Sequence, residues 1–125
     1  MVEIYDKKGF IELFRFDGHS LVGANLTRAE LPEANLVQCD LRRVNLSHAV
    51  LTHADLRLAD LRAADLSHAD LSGADFSGSD LRDANLAHAK LEGTRFDGAQ
   101  MEGACLPNSS GLAGISVRVE KTPDK

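Results

Sequence analysis

The sequence predicts an all-β solenoid, a chain that turns a corner every five residues, winds into coils and stacks them around a filled core. Three observations predict it. Leucine or another large apolar residue recurs every fifth position from Phe16 through Leu21, Leu26 and Leu31 to Leu86, Leu91, Phe96, Met101 and Leu106, without a slip in register. A small residue stands two places before nearly every one, as in Ala24-Asn25-Leu26, Ala54-Asp55-Leu56, Ala64-Asp65-Leu66 and Ala84-Asn85-Leu86. The two residues after the leucine are mostly polar, so the unit reads Ala-(Asp/Asn)-Leu-x-x. An α-helix turns about 100° per residue, so a period of five would advance each leucine by about 140° and scatter the apolar residues around the barrel. A straight strand has a side-chain period of two, and an odd repeat would send successive leucines to opposite faces. A corner in every unit resolves both conflicts. Alanine and leucine point inward, the Asp/Asn between them points out, and the polar pair makes the bend.

Coils stacked at the strand spacing of about 4.8 Å let the backbone groups of each satisfy the next, giving a rod in which contacts run between neighbouring coils. Ala-(Asp/Asn)-Leu-x-x in tandem resembles the pentapeptide-repeat family, over Phe16 to Leu106. The resemblance implies a right-handed quadrilateral β-helix with four pentapeptides per coil. Nineteen central positions then make just under five coils, a rod about 23 Å long.

Taken in order, residues 1–15 read as an N-terminal capping hairpin. Val2-Glu3-Ile4-Tyr5 is a strand, Asp6-Lys7-Lys8-Gly9 a turn, and Phe10 to Phe16 a second strand leading into the first coil. Four of the six aromatic residues, Tyr5, Phe10, Phe14 and Phe16, gather there, where an open coil end would expose leucines and unpaired backbone. Residues 16–107 form the pentapeptide-repeat β-helix. Residues 108–125 are expected to supply a C-terminal capping strand, Ile115 to Val119, after the Pro107 to Gly111 loop, and then a disordered tail.

Composition narrows the function classes. Lys+Arg number 14 against 19 Asp+Glu in 125 residues, and no apolar run is long enough to cross a bilayer. The start lacks the basic and apolar segments of a secretory signal, so the expected compartment is the cytoplasm. Cys39 replaces an inward alanine, while Cys105 fills an outward slot more than three coils away, beyond disulfide reach within one chain. There is no glycine-rich phosphate loop or nucleophile elbow, and a rod filled with leucine offers no cleft. No enzyme and no cofactor are expected.

With four repeats per coil, residues twenty apart stack, and three outward columns stand out. The first is acidic, with Asp40, Asp60 and Asp80 on one face, Asp55 and Asp75 on another, and Asp65 and Asp70 continuing around the coil. Residues 17–106 hold 14 Asp+Glu and 8 Lys+Arg, a net of −6. A narrow negative rod could imitate the phosphate path of DNA, and the resemblance adds that some family members bind DNA gyrase. Asp and Asn in this slot also support turns through local hydrogen bonds, whatever the surface binds. The second column is basic, Arg42, Arg62 and Arg82 beside Asp40, Asp60 and Asp80, a charge-paired face. The third is His48, His68 and His88, with Arg28 before them and His53 on the adjacent face, candidates for a surface metal such as zinc.

The function expected is a non-enzymatic, rigid protein-interaction module. Its partner-binding candidates are Asp55, Asp60, Asp65, Asp70, Asp75, Arg42, Arg62 and Arg82. The alternatives are a DNA-mimicking modulator of a topoisomerase such as DNA gyrase, and metal binding by the histidine column. Direct nucleic-acid binding is not expected of a chain with net charge −5 and no aromatic platform on the coils. The rod is expected to be a monomer, or a dimer through a terminal strand.

Overall fold

The structure, a computed structural model, describes residues 2–9, 12–16, 18 and 20–107. The expected C-terminal strand lies outside them, as do Phe10 and Ile11 of the second N-terminal strand. Among the described residues there is no helix. Strand β1, Val2–Tyr5, pairs antiparallel with β2, Glu12–Phe16, in the register Val2↔Phe16, Glu3↔Arg15 and Ile4↔Phe14. From Gly23 on, coils stack through parallel bridges between residues twenty apart, from Asn25↔Asn45 to Asn85↔Cys105.

The reason for a five-residue unit is visible in where its backbone N–H groups go. In the unit centred on Leu66, the leucine N–H donates to Asn85 C=O of the next coil at 2.7 Å, and His68 N–H to Ala87 C=O at 2.9 Å. Asp65 N–H reaches back to Val44 C=O at 2.9 Å, and Ala69 N–H closes the turn on Leu66 C=O at 3.2 Å. The fifth, Ser67 N–H, donates to the Asp65 side chain at 2.9 Å. All five donors are satisfied, four by backbone and one by the residue before the leucine. That is why Asp or Asn recurs there: the same bond forms at Asn25, Asn35, Asp40, Asn45, Asp55, Asp60, Asp70, Asp75, Asp80 and Asn85. Glu30 breaks the pattern where the acceptor is not needed, because two residues on stands Pro32, which has no N–H.

Each bend is a turn whose third residue has positive φ, 56–64° at eleven non-glycine positions from Arg28 to His88. With the Leu-to-Ala closing bond this is a type II turn. A left-handed non-glycine residue costs about 1–2 kcal/mol, and at ten of the eleven, from Arg28 to Asp83, the conformation persists because the next coil accepts that residue's N–H. The inward residues form one core. Leu31, Leu41, Leu46, Leu51, Leu56, Leu61, Leu66, Leu71, Leu81 and Leu86 are fully buried, with the alanines and Val44 between them. Phe76 and Phe96 stack at 5.3 Å between ring centroids. The hairpin joins this core through Ile4, which is 3% exposed. It also lies against the first coil: Asn35 N–H donates to Tyr5 C=O and Lys7 N–H to Glu33 C=O, both at 2.8 Å.

Two inward positions carry hydroxyls, with different outcomes. Thr94 Oγ1 donates to Leu71 C=O at 2.6 Å. Ser79 is fully buried and its Oγ has no partner. Ser79→Ala, which restores the residue found in most units, is expected to stabilise the rod by about 1 kcal/mol, since an orphaned buried hydroxyl costs about 1–3 kcal/mol. Urea unfolding checks it; no gain would mean the hydroxyl is satisfied in solution.

Candidate interaction faces

Because the unit places residues two apart on the same outer side of a strand, an Asp before the leucine meets whatever follows the leucine. On one face that residue is arginine. Arg42 holds Asp40 through Nε–H to Oδ1 at 2.8 Å and Nη2–H to Oδ2 at 2.7 Å, Arg62 holds Asp60 at 2.9 and 2.7 Å, and Arg82 holds Asp80 at 2.8 and 2.5 Å. Stacking extends each pair into a ladder: Arg42 Nε lies 3.9 Å from Asp60 Oδ2, and Arg62 Nε 3.6 Å from Asp80 Oδ2. The charge-paired face expected from the sequence is present in this detail.

The acidic faces are less uniform than the sequence suggested. Asp60 belongs to the ladder, and Asp55 is gripped by Arg57 at 2.8 and 2.7 Å. The sequence reading missed Arg57, although its spacing from Asp55 equals that of Arg62 from Asp60. Asp65, Asp70 and Asp75 instead accept from the hydroxyls of Ser67, Ser72 and Ser77 at 2.6, 2.7 and 2.5 Å. Among the described residues no ion pair reaches those three carboxylates.

Hydrogen bonds from the neighbouring guanidinium, first of all, hold the carboxyls of Asp40, Asp55, Asp60 and Asp80 below the ordinary carboxylate range. A carboxyl depressed in the folded state contributes stability above its unfolded pKa, about 3.9, and that stability is lost as pH falls through the lower folded value. The melting temperature is therefore expected to drop on acidification below about pH 4. Asp55 and Asp80 side chains are 15% and 17% exposed against 48% for Asp40, so solvent screens their pairs least. Asp80→Asn should flatten the acid limb more than Asp40→Asn, and an equal effect of the two would refute that ranking.

His48, His68 and His88 form the third column as expected. Their rings stack face to face, 4.7 Å apart at 2° and 4.8 Å apart at 17°. Stacked rings aim their lone pairs side by side, not at a common point. Among the described residues no three His, Cys, Asp or Glu side chains are grouped to hold a metal. His53 instead leans over Gly73, where an added Cβ would collide with its ring. Leu58, which no sequence argument singled out, stands 58% exposed over Gly78. Cys39 and Cys105 are free, and burial pushes the Cys39 thiol up.

A family model described as pentapeptide repeats matches the chain in eight copies, over residues 15–43, 39–78 and 79–110. Among solved structures, a pentapeptide repeat protein from the cyanobacterium Cyanothece 51142 is 34% identical, over 66% of this chain and 63% of that one, with a TM-score of 0.43. One from the Arabidopsis thaliana thylakoid lumen is 32% identical, over 84% of this chain and 70% of that one, with a TM-score of 0.46. HetL from Nostoc sp. strain PCC 7120, described as involved in heterocyst differentiation regulation, is 31% identical, over 69% of this chain and 59% of that one, with a TM-score of 0.32. The chain spans less than two thirds of the Cyanothece and Nostoc proteins. No curated protein matches it.

Proposed function

The chain belongs to the pentapeptide-repeat family, whose members form right-handed β-helices, and we propose that it acts as a non-enzymatic, rigid protein-interaction module. The observation that carries this reading is the division of the unit into a filled interior and a pre-set exterior. Leucine, alanine and phenylalanine occupy the inside, leaving chemistry only to a convex surface, where water has free access. Outside, the Asp and Asn side chains are already fixed by turn bonds and Arg42, Arg57, Arg62 and Arg82 by their aspartates, so little rotamer freedom remains to be lost there on docking. In this proposal the rod has just under five coils and the N-terminal hairpin covers one end.

The test is capture from the protein's own cell with the intact chain and two face variants, one with Arg42, Arg62 and Arg82 changed to Ser, one with Asp65, Asp70 and Asp75 changed to Asn. A stoichiometric partner lost from one variant and kept by the other supports the module reading. Equal retention by both would place binding elsewhere.

A second reading, a DNA-mimicking modulator of a topoisomerase such as DNA gyrase, is favoured by one observation: among the described residues no ion pair reaches Asp65, Asp70 or Asp75. Supercoiling assays with the protein titrated at low and moderate salt test it. Inhibition or protection that weakens with salt and disappears in the triple Asn variant supports mimicry. No effect at micromolar protein removes it.

A further inference from the structure

The recess at Ala63 follows from the order of side chains along one corner, which runs Arg43, Ala63, Asp83, Gly103. Ala63 presents a single methyl between two longer neighbours, and the gap it leaves is a recess of about 240 Å³ lined by Arg42, Arg43, Arg62 and Ala63. Pockets for drug-sized molecules run to about 300–1,000 Å³, so this one suits a single functional group.

Three guanidinia surround it. Arg42 and Arg62 are each clamped by their own aspartate through Nε and Nη2. A guanidinium carries five N–H donors, so the clamp fixes its plane and leaves an outer edge free. Arg43 is exposed and has no ion pair among the described residues. Along the ladder Arg42, Arg62 and Arg82 are matched by Asp40, Asp60 and Asp80, which leaves Arg43 as the recess arginine without an ion pair among the described residues. A second negative charge on the ligand would meet Asp80, already 3.6 Å from Arg62 Nε.

We propose that this recess binds one carboxylate, the side chain of an Asp or Glu presented by a protein partner, with Arg43 supplying the open charge and Arg42 and Arg62 the oriented donors. The proposal rests on the interaction-module reading and names the chemistry of its partner.

The test uses the intact chain, following the arginine Nε–H resonances while acetate is titrated against chloride at constant ionic strength. Arg57 is the internal control, because it is clamped by Asp55 in the same way but has Val37 and Ser77 above and below it. Saturable shifts at Arg42, Arg43 and Arg62 with Arg57 unmoved are expected. They should be at least about tenfold weaker in affinity in Arg43→Gln, as for loss of a charged hydrogen bond. Parallel drift of Arg57, or no saturation, overturns the proposal. Saturation by inorganic phosphate but not by acetate overturns the carboxylate assignment. Neither failure touches the module reading, which the capture experiment tests independently.

Discussion

Deleting His68 alone is expected to destroy ordered structure from that point to the end of the rod, whereas deleting residues 57–76 together is expected to leave a folded rod one coil shorter. Losing one residue moves each later leucine, from Leu71 to Leu106, out of the inward slot and sends a polar or small residue in. Full burial of a large apolar side chain contributes about 1.5–3 kcal/mol, so the displaced residues together exceed any plausible total stability. The same slip moves each Asp or Asn away from the N–H it accepts. Removing twenty residues joins Leu56 to Ser77 in register, since the bridged partners throughout lie twenty apart. Only nearest-neighbour contacts between coils are then exchanged for equivalent ones. Circular dichroism and amide exchange distinguish the cases. A His68 deletion that keeps protected amides beyond residue 70 would show that a local bulge can absorb the slip, and that the five-residue register is less strict than the hydrogen bonding implies.

The core and the corner were legible because each repeats: a leucine every fifth residue and a polar pair after it leave few other ways to bury the one and solvate the other. The Asp/Asn slot was read as turn support, which the Ser67-to-Asp65 bond and its relatives bear out. What the sequence did not show was the sharing of charge. Asp55 and Asp75 stack on one face, yet one ends on arginine and the other on serine, and only the residue two places on decides which. Arg43 was invisible for a related reason. Its importance comes from the missing side chain at Ala63, a coil away, and a gap leaves no mark in composition or spacing.

The histidines show the opposite limit. Periodicity placed His48, His68 and His88 in one column correctly, but a shared column does not make a shared ligand site. The stacking that brings the rings to within 4.8 Å also turns their planes parallel. In a β-helix the spacing of coils fixes how close equivalent side chains come, and the turn fixes how they point. Convergence on one atom would need neighbours from different positions of the unit.

Phe76→Ala is expected to destabilise the rod by about 3–5 kcal/mol, the range for deleting a buried aromatic ring. Phe76 is fully buried, with Leu56 beneath it and Phe96 stacked above at 5.3 Å and 10° between ring planes. Nothing nearby can refill the space cheaply, because each neighbour is tied to its own coil by backbone bonds on both sides. Phe76→Leu should cost less than about 2 kcal/mol, since leucine is what this column holds at Leu36 and Leu56. The position in the rod adds a second expectation. Contacts pass only between adjacent coils, so a cavity at Phe76 weakens the coupling of residues 77–107 to everything before them. Amide protection there should fall further than at Leu26 to Leu46. The ring pair itself can be separated by a double-mutant cycle with Phe96→Ala, with a coupling of about 0.5–1.5 kcal/mol expected from the aromatic contact. Additive losses with uniform protection along the chain would mean that the two rings act only as bulk and that the rod unfolds as a single unit.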